Sequence, residues 1–201
     1  MKKLPLSFYA RPNVVNIARE LLGKILVTRF DKIKTSGRIV EVEAYNGTVD
    51  RASHASGGRR TARNEVMYGH PGISYVYLCY GIHYLFNVVT NKNETPHAIL
   101  IRALEPLTGI NDMLIRTGKS KLDNTLTRGP GNLSKALGIS ITHTGKSLLG
   151  TDLYIAEDGF VPEVSSVKAS PRIGVDYAGE DALLPYRFYV AGNPFVSAKP
   201  K

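Results

Sequence analysis

The 201-residue chain has a single cysteine, Cys79, and no tryptophan. One thiol cannot build an internal disulfide framework, and it excludes zinc sites that need several cysteines. The five histidines are scattered, and neither H-E-x-x-H nor H-x-E with C-x-x-C occurs, so no metal is expected. G-x-S-x-G and G-x-G-x-x-G are missing as well, which removes the hydrolase elbow and the dinucleotide fingerprint. Thr144-Gly145-Lys146-Ser147 has the end of a phosphate-binding loop, but Ser140 stands where its first glycine belongs. No run approaches the ~18 apolar residues of a membrane helix. The apolar stretch after Met1-Lys2-Lys3 is broken by Pro5 and Ser7 and ends at Arg11, unlike a signal peptide. The expectation is an intracellular chain that is not secreted and has no membrane partner. Acidic residues are also scarce: 17 against 26 basic ones leave a formal charge of +9, which favours polyanions such as nucleic acid.

What is present reads as a globular chain, with 43% hydrophobic and 21% charged residues. Its length suits one domain, taken as residues 1–201. Asn13 precedes Val14, Ile17, Ala18 and Leu21 at helical spacing, and Gly23 follows, which predicts a short capped helix. Residues 25–30 read as a strand, 31–37 as a turn and 38–45 as a second strand of a hairpin. Residues 46–71 form a long polar loop rich in arginine, a length that is usually functional. Residues 73–89 read as two strands joined tightly at Tyr80-Gly81. A strand at 98–104 closed by Pro106, helical character at 107–117 and a short helix at 132–137 follow. Short strands are expected at 153–155 and 187–190. The fold class is α+β, a single domain of mainly antiparallel sheet flanked by short helices.

Several residues in this frame could carry chemistry. Alternation over 39–45 puts Ile39, Glu41, Glu43 and Tyr45 on one strand face. The two carboxylates are either the solvated side of an edge strand or a buried pair, one of which serves as a general base. Arg102 lies in an apolar run, where a guanidinium needs a carboxylate such as Glu41 or Glu43; the ion pair could be structural or functional. Tyr68, Tyr75, Tyr77, Tyr80 and Tyr84 crowd the second hairpin, and only Tyr80, at its turn, has no core to fill. Arg51, Arg59, Arg60 and Arg63 surround Gly57-Gly58, with no acid from residue 51 to 64. They form either a solvated face or a phosphate-contacting one. His54 lies in the same loop. Gly129-Pro130-Gly131-Asn132 at a helix start is a weak anion-site signal.

Taken in order, these segments resemble the alkyladenine (3-methyladenine) DNA glycosylase family. The resemblance rests on Glu20-Leu21-Leu22-Gly23-Lys24, on Gly37 through Tyr45, and on His54-Ala55-Ser56-Gly57-Gly58-Arg59 with Arg63-Asn64. It continues through Pro71-Gly72, Tyr75-Val76-Tyr77, Tyr80-Gly81, Asn87, Leu100 through Pro106 and Arg187 through Val190. It implies a monofunctional glycosylase that flips a damaged purine from duplex DNA and hydrolyses its N-glycosidic bond, leaving an abasic site. By family position Glu43 would be the general base, with Arg102 and the main-chain carbonyl of Val175 holding the water. Tyr45, His54 and Tyr77 would wall the base pocket, and Asn87 would clash with the exocyclic amine of guanine. Tyr80, with Gly81, would form a protruding hairpin that intercalates in DNA, while Arg59 and Arg63 would contact it as well. The sequence departs from the family around Asp176-Tyr177, close to Val175.

The resemblance requires no metal, nucleotide cofactor or covalent lysine. Its implied partner is double-stranded DNA containing damaged purines; a monomer is the default expectation, since one molecule suffices for one lesion, and the short N-terminus suits a compact bacterial-type member, cytoplasmic or at the nucleoid. A non-catalytic module that recognises damaged DNA shares the basic surface and the wedge, but has no need of Glu43. An RNA-binding domain has no aromatic RNP pattern or KH-type loop in its favour.

Overall fold

The structure, a computed structural model, describes residues 1–197; the last four residues of the expected 1–201 domain lie outside it. Its strands are β1 (Lys2–Lys3), β2 (Ile25–Phe30), β3 (Ile33–Tyr45), β4 (Ser74–Cys79), β5 (His83–Thr90), β6 (His97–Thr108), β7 (Leu153–Glu157), β8 (Val167–Ser170) and β9 (Arg187–Val190). The helices are α1 (Leu6–Tyr9), α2 (Val14–Leu21), α3 (Ile110–Thr117) and α4 (Pro130–Leu137). All nine strands share one sheet in the order β1-β7-β2-β3-β6-β5-β4, with β9 against β3 and β8 outside it. Every pairing is antiparallel. The α+β class expected from the sequence is the observed one.

The centre of the sheet is β3, 13 residues long. β6 runs along one of its edges, and β2 occupies the other as far as Arg38. β9 then takes over that second edge from Glu41 to Glu43. The carboxylates therefore sit in a strand paired on both sides, not on a solvated edge. The register with β6 shifts between Ile39 and Glu41 and again between Glu41 and Val42. This irregularity breaks the simple alternation: Ile39 faces the main core with Val42 and Ala44, while Val40 packs with Ala103, Tyr189 and Val196. Ile39 thus does not share a face with Glu41 and Glu43.

The main core lies between that sheet face and helices α2, α3 and α4, through Ile17, Leu21, Val42, Ile101, Met113 and Leu133. Helix α2 is held as expected, its Asn13 side chain accepting from the Asn16 N–H at 2.9 Å. The expected turn at 31–37 shrinks to Asp31-Lys32, both left-handed at φ 51° and 67°, as a tight hairpin turn demands. The polar residues after it stay in the strand because they find partners: Thr28 and Thr35 hydroxyls meet at 2.6 Å across it. Pro106 does not end β6, which runs on to Thr108. β5 pairs with β6 only over 97–100, so the N–H that proline lacks breaks no ladder bond on that edge.

Two further differences concern element ends and short elements. Helix α3 begins at Ile110, after Gly109 at φ 75°, not at 107. Helix α4 begins two residues before the expected start, with Pro130 in its first turn. β1 and β8, at two and four residues, are too short to show a period. Residues 46–71 contain only 3-10 turns at Gly47–Val49, Ser56–Gly58 and Glu65–Tyr68.

Candidate active site

The sheet face opposite the main core carries an unusual load. Val42 and Ala44, Ile101, and Phe188 point into the core, so Glu43, Arg102 and Arg187 project the other way from three adjacent strands. Glu41 and Glu43 have no accessible surface at all. Burial on this scale is tolerated only because the charges are matched and hydrogen-bonded.

Glu41 is saturated. Its Oε1 accepts from Arg102 Nε at 2.9 Å, Arg187 Nε at 2.7 Å and Ser197 Oγ at 2.8 Å, and its Oε2 accepts from the Ser197 N–H at 2.5 Å. Burial alone would raise its pKa, but Arg102, the Ser197 N–H and Arg187 outweigh that and hold the carboxyl below its ordinary value. Glu43 is held more lightly. Its Oε1 accepts from the Ile173 N–H at 2.8 Å and lies 3.3 Å from Arg102 Nη1, while Oε2 accepts the Tyr45 hydroxyl at 2.9 Å. Arg102 thus bridges both acids, as its apolar setting in the sequence required.

Beside this cluster lies a small aromatic cavity of about 40 Å³, bordered by Tyr45, His54, Tyr75, Tyr77, Asn87 and Tyr177. The His54 ring meets Tyr77 at 4.6 Å and 69°, and its Nδ1 lies 2.7 Å from the Tyr75 hydroxyl. Burial, then the charges of Arg63 and Arg59, push the His54 pKa down to about 4. The ring is therefore neutral at pH 7, and the Tyr75 contact leaves Nε2 to a ligand. Asn87 donates through Nδ2 to the carbonyls of Tyr75 (3.1 Å) and Leu85 (3.2 Å), so Oδ1 is the atom left over. The four expected pocket residues Tyr45, His54, Tyr77 and Asn87 do come together.

The cavity adjoins a cleft of about 640 Å³ that shares Tyr45, His54, Tyr77 and Tyr177 with it. Arg63, Tyr80, Arg102 and Val175 border the cleft. Glu43 borders neither space and lies behind Tyr45 and Ile173, which do. The Val175 carbonyl accepts from the Ala178 N–H at 2.9 Å, which leaves one lone pair free. At the rim, β4 and β5 form a hairpin closed by Tyr80-Gly81-Ile82, with Tyr80 at φ 50° and Gly81 at φ 72°. Tyr80 is 90% exposed, too much for a structural side chain.

The arginine loop divides. Arg60 is bound to Glu65 (2.6 Å) and Glu94 (2.5 Å), so it is not one of a set of unopposed cations. Arg51, Arg59 and Arg63 border a further pocket of about 430 Å³, and none of their guanidinium groups pairs with a carboxylate among the described residues; only the Arg51 main-chain N–H donates to one, that of Asp181. Gly81 stays in the turn, and no group of three metal-ligating side chains forms among the described residues. No helix there is long and apolar enough to cross a membrane.

Sequence reasoning missed three contributors. Tyr177 borders all three spaces and is tied to the Ala52 carbonyl at 3.2 Å. Arg187 shares Glu41, and its place in an alternating strand beside Phe188 was the available signal. The buried Arg172–Asp50 pair lies under the Tyr45 ring, 4.9 Å from the guanidinium, but 122 residues of separation gave no hint of it.

A buried carboxylate beneath an aromatic slot, beside a cleft rimmed by an exposed tyrosine, is an arrangement suited to hydrolysis on a planar base. Comparison with known proteins agrees. The profile of the family "Methylpurine-DNA glycosylase (MPG)" matches residues 7–194. A Desulfitobacterium hafniense (strain Y51) protein is 46% identical over 206 residues, covering 99% of this chain and 100% of its own. A Bacillus cereus (strain Q1) protein is 47% identical over 203 residues, covering 97% and 98%. One from Bacillus cytotoxicus is 47% identical over 206 residues, covering 97% and 99%. All three carry the name "Putative 3-methyladenine DNA glycosylase". With a match that runs nearly end to end and encloses every residue of the buried cluster but Ser197, the chain belongs to the methylpurine-DNA glycosylase family.

Proposed function

We propose that the protein is a monofunctional DNA glycosylase of base excision repair that removes alkylated or deaminated purines and leaves an abasic site. The observation that carries this reading is Glu43: a buried carboxylate with one oxygen directed to the hydroxyl of Tyr45, a wall of the aromatic cavity and of the cleft that the exposed Tyr80 borders. A stacked base hides its glycosidic carbon, so the purine must leave the duplex before water can attack. Tyr80 and Gly81 enter the minor groove and fill the vacated place. The purine enters between Tyr45, Tyr77 and His54, and Asn87 excludes the exocyclic amine of guanine. An alkylated purine is electron-poor, which strengthens stacking and makes it a better leaving group. Glu43 removes the proton of the attacking water and its charge steadies the oxocarbenium-like sugar. Arg102 and the Val175 carbonyl hold that water at the edge of the cleft.

The enzyme acts as an intracellular monomer on damaged double-stranded DNA, with residues 1–201 as one glycosylase domain and no cofactor. Arg59 and Arg63 contact phosphates, supported by their place in one pocket and by the absence, among the described residues, of a carboxylate partner for either guanidinium. The deciding experiment is single-turnover base release from duplexes carrying 3-methyladenine or hypoxanthine. Release with an intact abasic strand is expected; tight lesion binding without release would make the protein a damage-recognition module. Tyr80→Ala should weaken binding to a lesion duplex by about 1–3 kcal/mol and to undamaged duplex by less. Equal losses on both duplexes would remove the wedge. In salt titrations Arg59→Ala should flatten the slope by about one unit, and Arg60→Ala, already neutralised by Glu65 and Glu94, should leave it unchanged.

A further inference from the structure

The aromatic cavity holds about 40 Å³, room for a few water molecules and well short of the two fused rings of a purine. The cleft beside it is wider, but a base that stopped there would miss the inner walls Tyr75 and Asn87, which border the cavity and not the cleft. For the purine to reach them, one wall has to give way. Most are fixed. Tyr45 is held by Glu43 Oε2 at 2.9 Å and by the Arg172 guanidinium 4.9 Å from its ring. Tyr77 meets the His54 ring at 4.6 Å and the Arg63 guanidinium at 4.9 Å. His54 is tied to the Tyr75 hydroxyl at 2.7 Å, and Asn87 to two carbonyls. Tyr177 differs from all of these. It is 71% exposed, and its side chain has one hydrogen bond among the described residues, from its hydroxyl to the Ala52 carbonyl at 3.2 Å.

We infer that Tyr177 is a further substrate-contacting residue, the movable wall of the base pocket: its ring swings off the Ala52 carbonyl to admit a flipped purine and then closes on it. This rests on the base-flipping part of the glycosylase reading above. The ring has space to move into, since it also borders the cleft of about 640 Å³ and the arginine pocket of about 430 Å³. Its backbone stays in place. Val175 and Ala178, on either side of it, are buried with Ala52, and the Ala178 N–H donates to the Val175 carbonyl at 2.9 Å. Only the side chain has to rotate, so that carbonyl keeps its position while the wall opens. Opening gives up one neutral hydrogen bond and little burial, because the ring is already largely in solvent. Closing covers the base with an aromatic surface and shuts water out from that side.

The test uses a duplex carrying ethenoadenine, a purine whose fluorescence is quenched in the stack and changes when it leaves. Stopped-flow mixing with wild type, Tyr177→Phe and Tyr177→Ala gives the rate at which the base enters, and a chase with unlabelled lesion duplex gives its return. Tyr177→Phe keeps the ring and removes the tie to Ala52, so entry should be about 3- to 10-fold faster, the worth of one neutral hydrogen bond. Tyr177→Ala removes the wall, so entry should be as fast and return about 10-fold faster or more, the loss of one aromatic contact with a base. Both variants should keep Tm within about 2 °C of wild type, since the ring is exposed. A merely structural side chain would lower Tm and leave both rates alone. Wild-type entry in Tyr177→Phe or wild-type return in Tyr177→Ala overturns the movable wall, as does a wild-type protein that produces no fluorescence change. Single-turnover release from a hypoxanthine duplex keeps the two readings apart. If wild type releases hypoxanthine while both variants enter and return as it does, only the wall falls. If wild type releases nothing while entry and return respond to both variants, the wall stands and the catalytic reading falls.

Discussion

Glu43→Gln is expected to remove base release by about 10²- to 10⁴-fold while damaged DNA still binds, the range that a positioned general base contributes. The amide has nearly the shape of the carboxylate, and its oxygen still accepts the Ile173 N–H that fixes the side chain at 2.8 Å. What it loses is basicity and charge at Oε2, the atom that faces the Tyr45 hydroxyl. The aromatic cavity proposed to take the purine is built from other residues, so recognition should persist. Single-turnover release and equilibrium binding on the same lesion duplex separate the two properties. Excision near the wild-type rate would show that Glu43 is not the base. The substitution is informative because Glu41, two residues away, is committed elsewhere: its oxygens are filled by Arg102, Arg187 and Ser197.

That distinction between two neighbouring glutamates marks how far the residues alone could be read. The β-branched run before Tyr45 announced a strand, and an arginine inside Ile99–Leu104 announced a buried partner for one of its acids. Nothing local says which acid is saturated. The answer comes from Arg187 and Ser197, 146 and 156 residues from Glu41, which the fold brings to it. The irregularity near Val40 was hidden for a similar reason: Ile39, Val40 and Val42 are equally apolar, and only cross-strand register decides their faces. Arg60 read as free because its acids, Glu65 and Glu94, lie just beyond the window or on another loop. By contrast Tyr80 was legible, since a bulky ring at a two-strand turn has no core within reach whatever the rest of the fold does. The choice of Glu43 over Glu41 came from family resemblance; what the geometry adds is that the oxygens of Glu41 are already taken by Arg102, Arg187 and Ser197.

Glu41→Ala should cost stability where Glu43→Gln costs activity. Removing the carboxylate takes away the acid that the buried Arg102 and Arg187 share, and orphans the Ser197 N–H. Breaking a buried ion pair on one side costs about 3–5 kcal/mol. For a chain of this size each kcal/mol lowers Tm by about 2–4 °C, so a fall of about 6–20 °C is expected. Glu41→Gln, which keeps an acceptor but no charge, should fall between the two proteins. The effect also has a pH signature. The carboxyl pKa is lowered in the folded state, so its contribution is present above the ordinary carboxylate pKa and is lost as pH falls through the lower, native value. Wild type and Glu41→Ala should therefore differ most near neutral pH and draw together in acid. Denaturant unfolding across that range measures the difference directly. A constant gap at every pH would mean that packing around the side chain, not its charge, holds this part of the sheet together.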